Sequence, residues 1–292
     1  MTASVVPAAR RRGHRAIHVF LAVVAIVWLV PIAWAVYTSL RPYADTAARG
    51  YVSLPGELTL ANYATAWTAA DLPHFLLNTV AIVVPAVVVV LVLASMVAFG
   101  LSRLSRRLNV TLLIVFAAGS LLPPQALVIP LFRLFLAIPV PAPLSDNGVL
   151  YDQAVGLVAI NIAFQLGFCT FVLSNYLRTV PGELIDAAFI DGASLLRALW
   201  SVVVPLARPA IAALAALQVT WIYNDYLWGL ILIRTGDKRP ITSALNGLRG
   251  EYFTDTNLLA AAAILVALPT LVVFLVARRQ LRRGLTLGAV RG

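Results

Sequence analysis

The sequence is poor in charge and in cysteine. Only 12% of its 292 residues are charged, whereas 61% are hydrophobic and the mean hydropathy is +0.91. A soluble domain carries about 25% charged residues, and a disordered chain combines high charge with low hydrophobicity, so both classes are excluded. The single cysteine, Cys169, excludes a disulfide-stabilised scaffold and is expected to be a small buried side chain. A membrane protein with several spans remains.

The sequence also lacks the groupings of an active site or a metal centre. Its three histidines are scattered and no cysteine cluster accompanies them, so we predict no metal site. No Ser/His/Asp set or paired carboxylates stand at catalytic spacing, and a phosphate-binding glycine-rich loop with lysine is absent. We therefore expect no catalytic residues and no cofactor bound by this chain. The net charge of +10 lies in clusters between apolar blocks, which indicates contact with the lipid bilayer and not with nucleic acid.

Six apolar segments have, or nearly have, the length of about 20 residues that a helix needs to cross roughly 30 Å of hydrocarbon. They lack the alternation of barrel strands, so the predicted fold class is an all-α membrane protein with six transmembrane helices. The third segment contains Pro123, Pro124 and Pro130, and we predict a kink near Pro123. The six predicted spans are 17–40, 76–101, 110–135, 154–173, 205–233 and 258–277.

The basic residues predict the orientation of these spans. If the N-terminus is inside, fifteen of the 22 basic residues lie on the inner side. Positive residues favour the cytoplasmic side, so we predict that both termini are cytoplasmic. The chain then divides into a cytoplasmic N-terminal tail (1–16), a transmembrane domain (17–277) and a cytoplasmic C-terminal tail (278–292). The inner basic residues are Arg10, Arg11, Arg12, Arg15, Arg103, Arg106, Arg107, Arg178, Arg197, Arg208, Arg278, Arg279, Arg282, Arg283 and Arg291.

The inner loop 176–204 has the pattern of a helix, a glycine turn and a second helix. Glu183 complements the positive dipole at the start of the first helix, and Gly192 can end that helix in the left-handed conformation. Ser194 can cap the second helix, which continues to Pro205 at the mouth of the fifth span. We expect a rigid, exposed element that serves as a docking surface.

An apolar face is predicted for the first of these helices. Leu184, Ala187 and Ala188 stand at helical spacing and share that face. Asp186, beside them, is predicted either to face a basic group on a partner or to improve the N-terminal half of the helix. The sequence does not favour one role over the other.

The loop resembles the EAA loop of ABC importer permeases, and further segments are similar to the carbohydrate-uptake, maltose-permease-type branch of that family. The resemblance covers roughly residues 58–292. Two departures are present: Asp186 stands where the family usually has glutamate, and the proline-rich segment 139–143 is longer than usual. The matching segments are Asp186-Ala187-Ala188, Gly192, Val202-Val203-Val204-Pro205, 58–63, 224–228 and 284–292.

The resemblance implies a type I ABC importer permease with six helices and a cytoplasmic coupling helix. Such a subunit spans the bacterial cytoplasmic membrane, forms half of a sugar pore and pairs with a second homologous permease. It docks on two ATPases, which bind ATP and Mg, and receives sugar from an extracytoplasmic binding protein. The residues implied to couple the permease to the ATPase are Glu183, Asp186, Ala187, Ala188, Asp191, Gly192, Ala193, Ser194 and Pro205.

Four polar residues are candidates for lining a translocation path. Asp225 is the one acid inside a predicted span, and an acid in a membrane is a functional hypothesis by default. The alternative, which the sequence favours, is a carboxylate at the outer interface within an aromatic belt between Trp221 and Trp228. Amides within spans are more often helix–helix contacts than ligand contacts. The four candidates are Asn161, Gln165, Asn224 and Asp225.

Two other function classes are considered. An ion- or proton-coupled secondary transporter would show several embedded acids or inverted repeats with broken helices. An intramembrane enzyme would need a catalytic dyad or metal ligands within the spans.

The proline-rich outer loop 137–153 is expected to be specialised for the binding protein of this system.

Overall fold

The computed structural model describes residues 8–120, 122–248 and 255–286. Residues 1–7 of the predicted N-terminal tail and 287–292 of the C-terminal motif lie outside the described residues. Within the described ranges every regular element is helical, which confirms the all-α fold class. The α-helices are α1 (Ala8–Ser39), α2 (Tyr43–Arg49), α3 (Ala61–Thr68), α4 (Leu72–Ser102), α5 (Arg106–Ser120), α6 (Val128–Ala137), α7 (Ala154–Leu177), α8 (Gly182–Ile190), α9 (Leu195–Ala198), α10 (Val204–Tyr223), α11 (Leu227–Leu232), α12 (Ile241–Ala244) and α13 (Thr256–Thr286).

Five stretches of the described chain are long and apolar enough to cross a membrane. They correspond to the first, second, fourth, fifth and sixth predicted spans, although their ends differ by several residues. Cys169, in the fourth span, is buried as expected. The five stretches are Ile17–Ser39, Leu72–Ser102, Ala154–Leu177, Leu195–Tyr223 and Thr256–Arg278.

The prediction of one helix over 110–135 is wrong. Helix α5 ends at Ser120, a single 3-10 turn covers Pro124–Leu127, and α6 follows. Pro123 and Pro124 lack the backbone N–H that a helix needs, and each disfavours helical geometry in the residue before it. The predicted kink is therefore a complete break. Two shorter apolar helices take the place of the third span, an arrangement compatible with six apolar segments.

The prediction of one helix over 205–233 is also wrong at its end. Helix α10 stops at Tyr223, and α11 begins only at Leu227. The side chain of Asn224 donates to the carbonyl of Thr220 at 2.7 Å, and Asp225 Oδ1 accepts the N–H of Trp228 at 3.3 Å. Asn and Asp side chains compete with helical backbone bonds in this way, and the Asp225 contact caps the start of α11.

The described chain forms two compact units, and the first comprises residues 8–70, 248 and 255–265. Its centre is Arg41, whose side chain is only 1% exposed and lies 2.8 Å from the carboxylate of Asp45. Asn62 donates to the carbonyls of Ser39 and Arg41, both at 2.8 Å. The bond to Ser39 satisfies a carbonyl that the end of α1 leaves without a helical partner, and the bond to Arg41 holds the residue that follows.

The second unit comprises residues 71–120, 122–247 and 266–286 and is organised around α4 and α7. Ala86, Val90, Ala94 and Ala98 recur every four residues along α4 and are fully buried. Small side chains at this spacing let two helices approach closely, which is the usual basis of helix association in lipid. Helices α5 and α10 also contact α7, so α7 runs through the centre of this unit. The two candidate sites lie along α7 and at its C-terminal end.

Candidate functional site

The segment that follows α7 is a helix, a glycine turn and a second helix, as predicted. Helix α8 ends at Ile190, and Gly192 adopts a φ of +80°, with its N–H donating to the carbonyl of Phe189 at 3.0 Å. Ser194 precedes α9, and its hydroxyl accepts the N–H of Arg197 at 3.4 Å. The predicted left-handed glycine and the predicted serine cap are both confirmed.

The second helix of this element changes pitch before it enters the bundle. A π-helical turn covers Leu199–Val203 between α9 and α10. Pro205 lies in the first turn of α10 and has no N–H to donate, so the regular four-residue bond is missing there. Such π turns often occur at functional sites. The sequence analysis predicted the helix but not this local change.

The exposed side of α8 carries apolar side chains beside the carboxylates of Glu183 and Asp186. Ile185 is buried and anchors the helix to its unit, whereas Leu184 is exposed and Ile190 is 85% exposed. Of the predicted apolar face, Leu184 and Ala187 are exposed and Ala188 is half-buried. The face therefore points away from the bundle, and exposed apolar surface of this kind typically marks a contact with another protein. We name the segment from Gly182 to Ala198 the α8–α9 element.

Asp186 has a partner in its own chain. Its carboxylate lies 3.4 Å from Nη1 of Arg103, at the end of α4. The guanidinium of Arg103 lies 4.9 Å from the ring centre of Phe189 and 5.4 Å from that of Phe99. Both charged groups are partly exposed, so the ion pair alone is worth at most about 1 kcal/mol, and the two cation–π contacts add to it. The sequence analysis had assigned Arg103 only to the basic cluster.

A cavity of about 700 Å³ lies between α7, the turn at Pro124–Leu127 and the break after α10. All four candidate path residues line this cavity, although they come from segments about 60 residues apart in the chain. Gln125 and several aromatic side chains complete its wall. The lining residues are Leu122, Pro124, Gln125, Asn161, Phe164, Gln165, Phe168, Phe171, Trp221, Asn224, Asp225, Tyr226, Leu227 and Trp228.

The aromatic wall of the cavity was missed by the sequence analysis. The rings of Phe164 and Trp228 lie 5.5 Å apart, and those of Phe168 and Trp221 lie 5.4 Å apart in an edge-to-face arrangement. Trp228 is only 5% exposed and is enclosed by the cavity wall, whereas Trp221 is 53% exposed. The available signal was the spacing of Phe164 and Phe168 from Asn161, which places all three on one face of α7.

The polar side of the cavity centres on Asp225. Its Oδ2 accepts a long bond of 3.5 Å from Asn161, while Asn161 also donates to the carbonyl of Leu157 at 2.9 Å. Gln165 accepts from Gln218 at 3.3 Å. Amides and a carboxylate beside flat aromatic rings combine hydrogen bonding with apolar contact, and this combination suits a hydroxyl-rich ligand.

Just before the N-terminal end of α7, Asp152 links two loops by hydrogen bonds. It adopts a left-handed φ of +62° and accepts hydrogen bonds from the N–H of Arg234 at 2.8 Å and of Thr235 at 2.9 Å. The hydroxyl of Thr235 donates to its other oxygen at 2.6 Å. Burial raises the pKa of Asp152, but the bonds from Thr235 and Arg234 outweigh it and hold the pKa below its ordinary value. Lys238 adds a bond to Asp146 at 2.5 Å.

Comparison with known proteins identifies the class to which this arrangement belongs. Residues 90–285 match the family of binding-protein-dependent transport system inner membrane components, and the chain belongs to that family. Its relatives include the melibiose/raffinose/stachyose import permease protein MelC of Bacillus subtilis, 29% identical over 286 residues, which cover 98% of this chain and 99% of MelC. The diacetylchitobiose uptake system permease protein NgcG of Streptomyces coelicolor is 29% identical over 96% of this chain and 90% of its own length.

A solved structure shares the fold. The crystal structure of a bacterial ABC transporter involved in the import of the acidic polysaccharide alginate contains a chain that aligns with a TM-score of 0.74 at 22% sequence identity. The alignment covers 95% of this chain and 99% of that one. The helical architecture is thus that of an ABC importer permease. None of these comparisons supports a secondary transporter.

Proposed function

We propose that this chain is the membrane-spanning permease subunit of an ATP-driven sugar importer and forms half of its translocation pore. The observation that carries this proposal is the exposed α8–α9 element, with Leu184 and Ile190 open to a partner, in a chain of the binding-protein-dependent transport family. Relatives named for the uptake of melibiose, raffinose, stachyose and diacetylchitobiose support a carbohydrate as the cargo.

The chain works with partners that supply energy and substrate. A second homologous permease completes the pore, two ATPases bind ATP and Mg and carry out hydrolysis, and an extracytoplasmic binding protein delivers the sugar. Changing the ratio of the pore's outward-facing to inward-facing states from 1:99 to 99:1 takes about 5.5 kcal/mol of differential binding. Closure of the ATPase dimer supplies this free energy, and the docked α8–α9 element transmits it to α4, α7 and α10. ATP hydrolysis thus resides outside this chain.

The residues of the α8–α9 element, and Pro205 after it, have distinct parts in this coupling. Gly192 and Ser194 fix the angle between the two helices, and Pro205 marks the entry into α10. Asp186 holds α8 to the end of α4 through Arg103. The remaining members, whose exposed or half-exposed positions suit contact with the ATPase, are Glu183, Ala187, Ala188, Asp191 and Ala193.

The orientation follows from the basic residues. The α8–α9 element and both termini face the cytoplasm, because fifteen of the 22 basic residues then lie inside. The chain is a multi-pass protein of the cytoplasmic membrane. The loop 137–153, which Asp152 ties to the loop that follows α11, faces outward and contacts the binding protein.

The 700 Å³ cavity is part of the sugar path. Asn161, Gln165, Asn224 and Asp225 present hydrogen-bonding groups to sugar hydroxyls, and the rings of Phe164 and Trp228 offer flat apolar faces. The break after α10 lines the cavity, and an irregular backbone at membrane depth is tolerated where it borders a cavity inside the protein.

The proposal is tested by uptake in proteoliposomes that contain this chain, the second permease and the ATPases, with the binding protein added. Accumulation of labelled sugar is expected to require ATP inside and binding protein outside, and to survive a protonophore. An ATPase with its phosphate-binding lysine replaced is the matched control and is expected to give no uptake. Uptake that persists without ATP and collapses with the protonophore would contradict the proposal.

A further inference from the structure

A second cavity, of about 220 Å³, lies where the ends of α4 and α7 meet the starts of α5 and α8. It is separate from the 700 Å³ cavity and shares no lining residue with it. Its wall combines apolar side chains with a polar set. The polar lining residues are Ser102, Arg103, Asn109, Ser174, Arg178 and Asp186.

Two of these residues carry buried atoms with unused hydrogen-bonding capacity. Asn109 is 8% exposed, and its Nδ2 donates to the carbonyl of Leu101 at 2.8 Å, which leaves Oδ1 as an acceptor. Ser174 is 2% exposed. Neither Asn109 Oδ1 nor Ser174 Oγ has a hydrogen-bond partner in the part of the chain that the structure describes. Buried polar atoms are nearly always paired, so two in the wall of one cavity indicate an occupant with hydrogen-bond donors.

The charges around the cavity favour an occupant with one negative charge. Arg103 and Arg178 contribute two cations, and Asp186 contributes one carboxylate. The Arg103–Asp186 contact is long, at 3.4 Å, which leaves guanidinium N–H groups able to bind an anion as well. On this measure of volume one water needs only about 10–15 Å³, so the cavity has room for a much larger polar group.

We propose that this cavity binds a phosphate diester that carries hydroxyl groups, the headgroup chemistry of phosphatidylglycerol. Arg103 and Arg178 donate charge-assisted hydrogen bonds to the phosphate oxygens. The hydroxyls of the headgroup donate to Asn109 Oδ1 and Ser174 Oγ, the two atoms without a partner. The cavity lies at the ends of two membrane-spanning helices, where a bilayer presents its headgroups.

The occupant would also affect coupling. It would bridge the ends of α4 and α7 to α8, and so hold the α8–α9 element against the bundle. This consequence rests on the function proposed above, whereas the binding itself does not. A binding measurement on the purified full-length chain therefore tests the inference whether or not the chain couples to an ATPase.

The experiment is native mass spectrometry of the full-length chain titrated with phosphatidylglycerol or phosphatidylcholine. Phosphatidylcholine has the same diester but no hydrogen-bond donor and no net charge. Wild type is expected to bind one phosphatidylglycerol more tightly than phosphatidylcholine. Arg178→Gln and Ser174→Ala are each expected to weaken phosphatidylglycerol binding roughly tenfold, because each removes a hydrogen bond to the lipid.

The matched control is Arg107→Gln. Arg107 is exposed near the start of α5 and does not line the cavity. Its replacement removes the same charge as Arg178→Gln from the same end of the bundle but leaves the cavity intact. This variant is expected to bind phosphatidylglycerol as wild type does. Equal affinity in all four proteins, or equal affinity of wild type for the two lipids, would overturn the proposal. So would Ser174→Ala if it raised thermal stability without changing lipid binding.

A further arm separates lipid from free phosphate. The titration with phosphatidylglycerol is repeated in excess inorganic phosphate, and phosphate is also titrated alone. Lipid binding that persists in phosphate identifies the headgroup as the occupant. Displacement of the lipid, with phosphate binding that Arg178→Gln weakens, identifies the free anion at the same site and supports the same chemistry. Absence of both bound species in wild type would overturn the proposal.

Discussion

At the scale of single residues, Gly192 is the most constrained position of the α8–α9 element. Its φ of +80° costs an L-residue roughly 1–2 kcal/mol, although an added Cβ would meet no atom within 4 Å. Gly192→Ala is therefore expected to destabilise the turn by about that amount. Gly192→Pro cannot reach this φ and loses the hydrogen bond to Phe189, so we expect normal membrane insertion but no uptake. Uptake is measured as the labelled sugar that cells accumulate, and insertion as the amount of the chain in the membrane fraction.

The control for this prediction is Gly119→Ala. Gly119 lies in α5, outside the α8–α9 element, has no positive φ, and an added Cβ there would also meet nothing within 4 Å. Alanine is the better helix former, so uptake is expected to equal that of wild type. Normal uptake by Gly192→Pro would show that the glycine turn has no role in coupling.

Single residues were predictable where local rules decide their role. Gly192 and Ser194 obey backbone and capping preferences that a short stretch of sequence displays. The Arg103–Asp186 pair could not be predicted, because 83 residues separate its members and only the tertiary fold brings them together. For the same reason, Asn109 and Ser174 gave no signal of a shared cavity.

At the scale of elements, five of the six predicted spans correspond to helices that are long and apolar enough to cross a membrane, because length and hydropathy can be read from the sequence. The two errors concern helix breaks. The Pro123–Pro124 pair was read as a kink, but two missing donors in succession ended the helix. The Asn224–Asp225 pair was read as part of a continuous span, because polar side chains inside an apolar run do not reveal whether they bond to the backbone or to a neighbouring helix.

Asp152 provides a pH-dependent prediction for the loops at the N-terminal end of α7. Its pKa is lowered in the folded chain, so its contribution to stability is complete above the ordinary carboxyl pKa of 3.8 and disappears as the pH falls through the lowered value. Asp152→Asn keeps the shape but loses the charge, and we expect a lower melting temperature at neutral pH. The difference from wild type should shrink as the pH falls below about 4.

Thermal unfolding of the detergent-purified chain across this pH range measures the effect. Asp237→Asn is the control, because Asp237 lies exposed in the loop that Asp152 holds, and its loss removes the same charge. It should leave the melting temperature close to that of wild type at each pH. A melting-temperature difference for Asp152→Asn that stays constant with pH would contradict the assignment of an ionised, hydrogen-bonded carboxylate.

At the scale of the whole molecule, the proposed function makes this chain a pore half with a coupling element that depends on partners for free energy. The central claim is that the α8–α9 element is the surface on which the ATPase docks. Ile190 is the sharpest probe of that claim, because it is 85% exposed and large and apolar. Burying such a side chain contributes about 1.5–3 kcal/mol, so its loss should weaken docking about tenfold or more.

The most direct measurement is the affinity of the purified ATPase for the assembled permease pair that carries Ile190→Asp. The control is Val52→Asp, which places the same charge at an equally exposed apolar residue, 85% exposed, in the first compact unit. We predict that Ile190→Asp weakens ATPase binding at least about tenfold and that Val52→Asp leaves it unchanged. Equal binding by both variants and the wild type would contradict the claim.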